Sequence, residues 1–106
     1  MLNKISVVHC KKTSEDFVYI GRPSPLGNPF KLEKGMKKGS TLEKYEDWLR
    51  ERISRRDPKV CSELSRLYKL AKEDSLNLGC WCSPSPCHGD IIKKILEEAW
   101  NNSQKD

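Results

Sequence analysis

Ten consecutive residues, Gly21-Arg22-Pro23-Ser24-Pro25-Leu26-Gly27-Asn28-Pro29-Phe30, constrain this chain more than any other stretch. Three prolines and two glycines between Gly21 and Pro29 exclude helix and strand alike. Proline lacks the N–H that either hydrogen-bond ladder needs, and glycine loses the most backbone entropy on ordering. The chain must form a rigid irregular loop here, with regular structure built on either side. The remaining backbone donors, those of Ser24, Leu26, Gly27 and Asn28, are expected to be held in place. Left-handed conformations at Gly27-Asn28 would turn successive N–H groups inward, as in an anion-binding nest. Leu26 and Phe30 are the natural anchors of the loop in a core.

The flanking segments have clear periods. Ile5-Ser6-Val7-Val8-His9-Cys10 and Phe17-Val18-Tyr19-Ile20 are short and β-branched or aromatic, and are read as two strands. Lys31 to Gly39 is an exposed Lys- and Gly-rich connection. Ser40-Thr41-Leu42-Glu43 fits a capping box, with Ser40 as N-cap. Leu42, Tyr45, Leu49 and Ile53 then recur at helical spacing, joined by Trp48. Asp57-Pro58 starts a second helix, whose stripe is Val60, Leu64, Leu67 and Ala71 and whose end falls near Asp74. Leu76 to Cys82 forms a third strand, and Gly79 on its second face would let a helix approach closely. A last helix begins near Cys87 or His88, with Ile91, Ile92, Ile95, Leu96 and Ala99 as its apolar face.

This β-β-α-α-β-α order predicts a small three-layer, Rossmann-like α/β domain with a short, mainly parallel sheet flanked by helices. One domain is expected over residues 1–100, followed by a polar, frayed tail over 101–106. If strands two and three run parallel, the loops after them open on the same sheet edge, where α/β proteins bind ligands.

The loop after strand three leads into Cys80-Trp81-Cys82…Cys87-His88-Gly89-Asp90. Five cysteines, an odd count with no export signal, suggest thiols or metal ligands rather than disulfides. Cys10 and Cys61 sit in apolar patterns and read as core. Cys80 and Cys82 fit a buried strand face. Alternatively, Cys80, Cys82, Cys87 and His88 hold a zinc ion, although adjacent Cys87 and His88 reach one ion with difficulty. In a third reading Cys87 or His88 is reactive. A thiolate at a helix N-terminus has a lowered pKa, His88 could act as acid or base, and Asp90 could orient it. His9 reads as structural.

With 36% hydrophobic and 33% charged residues, apolar side chains must be placed economically, on one face of each helix and in a few strands. No stretch approaches the length of a membrane span, so the expected location is cytoplasmic. The net charge of +5 favours anionic partners. Lys31, Lys34, Lys37, Lys38, Arg50, Arg52, Arg55, Arg56 and Lys59 could contact nucleic acid. The interspersed Glu33, Glu46, Asp47 and Glu51 favour a solvated face instead. Tyr45, Trp48 and Trp100 fit helix faces that pack inward.

Tyr19-Ile20-Gly21-Arg22, Ser24 to Phe30, Tyr45…Trp48-Leu49, Cys80-Trp81-Cys82 and Pro86-Cys87-His88-Gly89-Asp90 together resemble domain-of-unknown-function family 4326, small proteins of bacteria and phages. The resemblance covers nearly the whole chain and implies no activity. The last strand and helix also resemble family 488, whose pattern there is Leu-Cys-x-Glu followed by Cys-His-Arg. Cys80, Cys87 and His88 match it, while Cys82 replaces the Glu and Gly89 the Arg.

The expected function is binding of a nucleotide or other phosphorylated ligand by Gly21, Arg22, Ser24, Gly27 and Asn28, with Cys87, His88 and Asp90 placed for chemistry. The sequence leaves open whether any reaction follows. The alternative is a zinc-stabilised nucleic-acid- or protein-binding module, for example a phage-type protein docking on a host target.

Overall fold

The computed structural model describes residues 2–11, 16–22, 24–30, 41–80 and 88–103. Three strands, β1 (Ile5–His9), β2 (Val18–Tyr19) and β3 (Leu76–Cys80), form a fully parallel sheet in the order β1-β3-β2. Three helices accompany it: α1 (Leu42–Ser54), α2 (Pro58–Glu73) and α3 (His88–Ser103). This is a small α/β fold with a short parallel sheet flanked by helices. The last strand in sequence is central, so β1 and β2 both pair with a segment more than fifty residues away. None of the described helices is long and apolar enough to cross a membrane.

The register aligns Ile5 with Leu76, Val7 with Leu78, His9 with Cys80, and Val18 with Leu78. Alternation therefore gives one face to Ile5, Val7, Val18, Leu76, Leu78 and Cys80. Leu76, Leu78 and Cys80 are buried there beside Leu49, Val60, Leu64, Leu67, Ala71, Ile92 and Leu96 of the helices, in one core cluster. The other face carries Ser6, Val8, Asn77 and Gly79. Phe17, not a helix, lies against Gly79: a Cβ added at Gly79 would clash with the edge of the Phe17 ring. The glycine allows an aromatic side chain to lie against the strand, which corrects the expectation of a helix there.

The helix ends show which local signals held. Asp57 Oδ1 accepts from the backbone N–H of Lys59 and Val60 at 3.0 and 3.2 Å, the N-cap bonds that its sequence predicts. Ahead of it, Arg56 takes a left-handed φ of 57°. It closes α1 with bonds from Arg56 N to the Ile53 carbonyl and from Asp57 N to the Arg52 carbonyl, the Schellman pattern. The expected capping box differs. The N-cap of α1 is Thr41, and its side chain makes no capping bond. Its hydroxyl instead accepts from Asn28 Nδ2 at 3.0 Å, so the cap has been given up to hold the loop. Ser40, Lys31, Lys34, Lys37 and Lys38 lie outside the described residues, as do Cys82 and Cys87.

Three packing expectations need correction. Cys10 and Cys61 are half-buried rather than core, because Cys10 sits in the turn after β1 and Cys61 on the flank of the α2 stripe. Ala99 is exposed, with the apolar face of α3 resting on Ile92 and Leu96. Asn101 to Ser103 are helical rather than frayed. Ser103 Oγ donates to the Trp100 carbonyl at 2.7 Å and lies 3.5 Å from the Tyr68 hydroxyl. On the helix surfaces Arg50 pairs with Glu46 and Glu98, Arg52 with Asp57, Arg55 with Glu51, and Arg66 with Glu63. These pairs are those of a solvated, charge-balanced surface.

Candidate functional site

All three strands are parallel, so the segments leaving their carboxyl ends emerge on one edge of the sheet. The loop after β2 and the start of α3 meet there. The joint between them is His88, which is 8% exposed. Its Nε2 lies 2.7 Å from the carbonyl oxygen of Ile20. A carbonyl can only accept, so Nε2 carries the proton and donates. The N–H of Ile20 already bonds the Gly79 carbonyl at 3.0 Å. His88 thus supplies the partner that Ile20 needs where the β2 ladder ends. Burial pushes the His88 pKa down. The bond to Ile20 and the Asp90 carboxylate oppose that shift, while Arg22 reinforces it. Burial therefore favours the neutral form of the ring.

Tyr45 of α1 completes the joint. Its ring is fully buried and meets His88 edge to face at 5.3 Å. Its hydroxyl donates to the Leu26 carbonyl at 2.7 Å. Leu26 is itself fully buried, as expected of a loop anchor. Gly89, one residue into α3, rests against Ile20 and Val7. One buried cluster therefore ties the loop to both helices. Tyr45→Phe keeps the packing and leaves the Leu26 carbonyl unpartnered, so it is expected to lower stability by about 1–3 kcal/mol. Urea denaturation of the two proteins would measure this.

Within the loop the backbone donors are used locally. Ser24 N bonds the Gly21 carbonyl at 2.8 Å and Gly27 N bonds the Ser24 carbonyl at 2.9 Å, giving two linked turns. Pro25 occupies the second position of the latter, where its fixed φ is favourable. Asn28 is committed at both ends, donating to Thr41 and accepting from Phe30 N at 2.9 Å. Neither Gly27 nor Asn28 is left-handed, which corrects the expected nest. Glycine is needed at 27 for space. A Cβ there would lie 2.9 Å from the backbone N and Cα of Arg22.

The family model for the domain of unknown function DUF4326 matches residues 5–98. The chain belongs to the DUF4326 family. No curated protein and no solved structure matches it.

In this DUF4326 protein, Arg22 is the cationic site residue left open to solvent. Its side chain is exposed and makes no ion pair among the described residues. Its carbonyl accepts from the Tyr19 hydroxyl at 2.8 Å, and Tyr19 lies over Gly21 to reach it. Ser24 Oγ is buried and has no hydrogen-bond partner among the described residues. Asp90 is exposed in the first turn of α3. Cys80 is fully buried in the core. Among the described residues no three His, Cys, Asp or Glu side chains are grouped to hold a metal ion. His9 ends β1 on the same sheet edge, with Nδ1 accepting from Lys11 N at 3.1 Å.

The structure thus brings Gly21, Arg22, Ser24, Gly27, Asn28, His88 and Asp90 to one edge of the sheet, in different roles. Arg22 faces solvent, while Gly27, Asn28 and His88 hold the loop together. Sequence reasoning missed Tyr19, Thr41 and the Tyr45 hydroxyl. The signal for Tyr45 was available: a tyrosine in a buried stripe must satisfy its hydroxyl.

Proposed function

We propose that this DUF4326 protein binds a nucleotide or other phosphorylated small molecule at the carboxyl edge of its sheet, with Arg22 as the principal contact. The observation that carries this reading is an exposed arginine, without an ion pair among the described residues, on the loop that His88 braces to the first turn of α3. Four of the other arginines pair with carboxylates, whereas Arg22 does not among the described residues. Asp90 already supplies one negative charge in the first turn of α3, and a bound phosphate oxygen would add a partner for the guanidinium and for the helix N-terminus. A planar guanidinium suits two phosphate oxygens at once.

The same geometry favours binding over chemistry at His88. Its Nε2 proton is committed to the Ile20 carbonyl, and its burial resists protonation. Thermal melts with AMP, ATP, ribose 5-phosphate and inorganic phosphate test the proposal. Saturable stabilisation is expected for at least one of them, of about 2.7 kcal/mol at a hundred times its Kd. If none of the four shifts the melt, the proposal fails.

A further inference from the structure

A second feature lies away from this edge. Helices α2 and α3 leave between them an open groove of about 470 Å³. Leu64 and Leu96 lie in its floor, while Ile53, Tyr68 and Ile95 line its sides. Along α2 it runs from Cys61 to Lys72, three helical turns or about 16 Å. Ala99 contributes a small side chain and is exposed, so the α3 wall is low there and a backbone can approach closely.

The lip of the groove is cationic. Lys69 and Lys72 both line it, and among the described residues no Asp or Glu does. Lys72 Nζ stands 5.2 Å from the centre of the Tyr68 ring, held over the groove wall by a cation–π contact. Neither lysine makes an ion pair among the described residues. Elsewhere Arg50, Arg52, Arg55, Arg66 and Lys94 pair with carboxylates, while Lys44, Arg56, Lys59 and Lys93, like the two groove lysines, make no ion pair among the described residues but do not line the groove. An apolar floor between two helices, with uncompensated positive charge along one lip, matches an amphipathic helix whose apolar face is flanked by acidic residues. A second copy of this chain is a poor occupant. Two copies docked groove to groove would bring four lysines of like charge into one interface, on a protein of net charge +5.

We propose that the α2–α3 groove docks an acidic amphipathic helix of a partner protein, independently of the Arg22 site. Leucines at i, i+3, i+4 and i+7 of that helix would fill the floor, and its glutamates would meet Lys69 and Lys72. The probe is a fluorescein-labelled helical peptide of about five turns with this leucine pattern and flanking glutamates, compared with the same peptide carrying lysines instead. Fluorescence anisotropy with the full chain should show saturable binding of the glutamate peptide, at least about tenfold tighter than the lysine peptide. Lys69→Glu with Lys72→Glu should reverse that preference. Ala99→Trp, at an exposed position, should block both peptides while leaving the helical circular dichroism unchanged. Arg22→Ala should bind the glutamate peptide as the wild type does, which separates this groove from the phosphate site. Absence of saturable binding, equal affinity for the two peptides, or indifference to the lysine substitutions would overturn the proposal. So would a dimer in sedimentation that Ala99→Trp dissolves, which would assign the groove to a second copy.

Discussion

Arg22→Ala is expected to abolish stabilisation by nucleotides and phosphate while leaving the unliganded melting point within about 3 °C of the wild type. The asymmetry follows from where the residue's bonds are made. What the fold uses is the Arg22 backbone: its carbonyl accepts from Tyr19, and its N and Cα form the surface that Gly27 packs against. Alanine keeps all of these. What it removes is an exposed guanidinium with no partner among the described residues. Arg22→Lys should fall between the two, since an ammonium keeps the charge but loses the two-pronged geometry. Melting curves over a phosphate or AMP titration give both readouts together. A variant that lacks Arg22 and still responds like the wild type would remove this residue from the site.

His88→Ala should show the opposite pattern, with a large loss of stability, about 3 kcal/mol or more. It strips the donor from a buried carbonyl and opens a gap beside Tyr45. His88→Gln retains a donor and should recover part of the loss. The pH dependence distinguishes a buried neutral imidazole from a generic packing residue. An unfolded His88 takes up its proton at its ordinary pKa near 6.5, whereas burial lowers that value in the folded state. Below that pH the unfolded chain therefore binds more protons than the folded one. Stability contributed by this residue is complete above the unfolded pKa, declines as pH falls below it, and levels off below the folded pKa. Glu46 and Glu98, whose pKa values are lowered first by their bonds to Arg50, act in the more acidic carboxylate window. The decline just below pH 6.5 should be reduced in His88→Ala and His88→Gln. An unchanged pH profile in both variants would show that His88 is not the group responsible.

Most of the elements were legible because their signals are local. The stripe Val60, Leu64, Leu67, Ala71 and the cap at Asp57-Pro58 depend on residues three or four apart, and α2 has these boundaries. The loop at Gly21 to Phe30 was legible for a similar reason, since proline and glycine act on their own backbone. What failed involved competition between distant partners. Ser40-Thr41-Leu42-Glu43 has a good capping pattern, yet the Thr41 hydroxyl goes to Asn28, thirteen residues earlier. Asn28 has the composition of a ligand-reading residue but is spent on Thr41 and Phe30 N. Gly79 signalled a close approach without saying by what, and the answer was the ring of Phe17.

The sequence by itself determined that an irregular loop would leave β2, that the last helix would begin near His88, and that helices and short strands would alternate around them. Hydrophobic spacing and missing backbone donors act within a few residues, so these features needed no knowledge of the rest. Only the tertiary structure decided that β3 lies between β1 and β2, and that His88 turns its proton to the Ile20 carbonyl, 68 residues away. That choice left Arg22 facing solvent while its neighbours in the motif became braces. Hydrogen-bond partners are allotted by proximity in space, and a buried polar group takes whichever partner the packing brings to it.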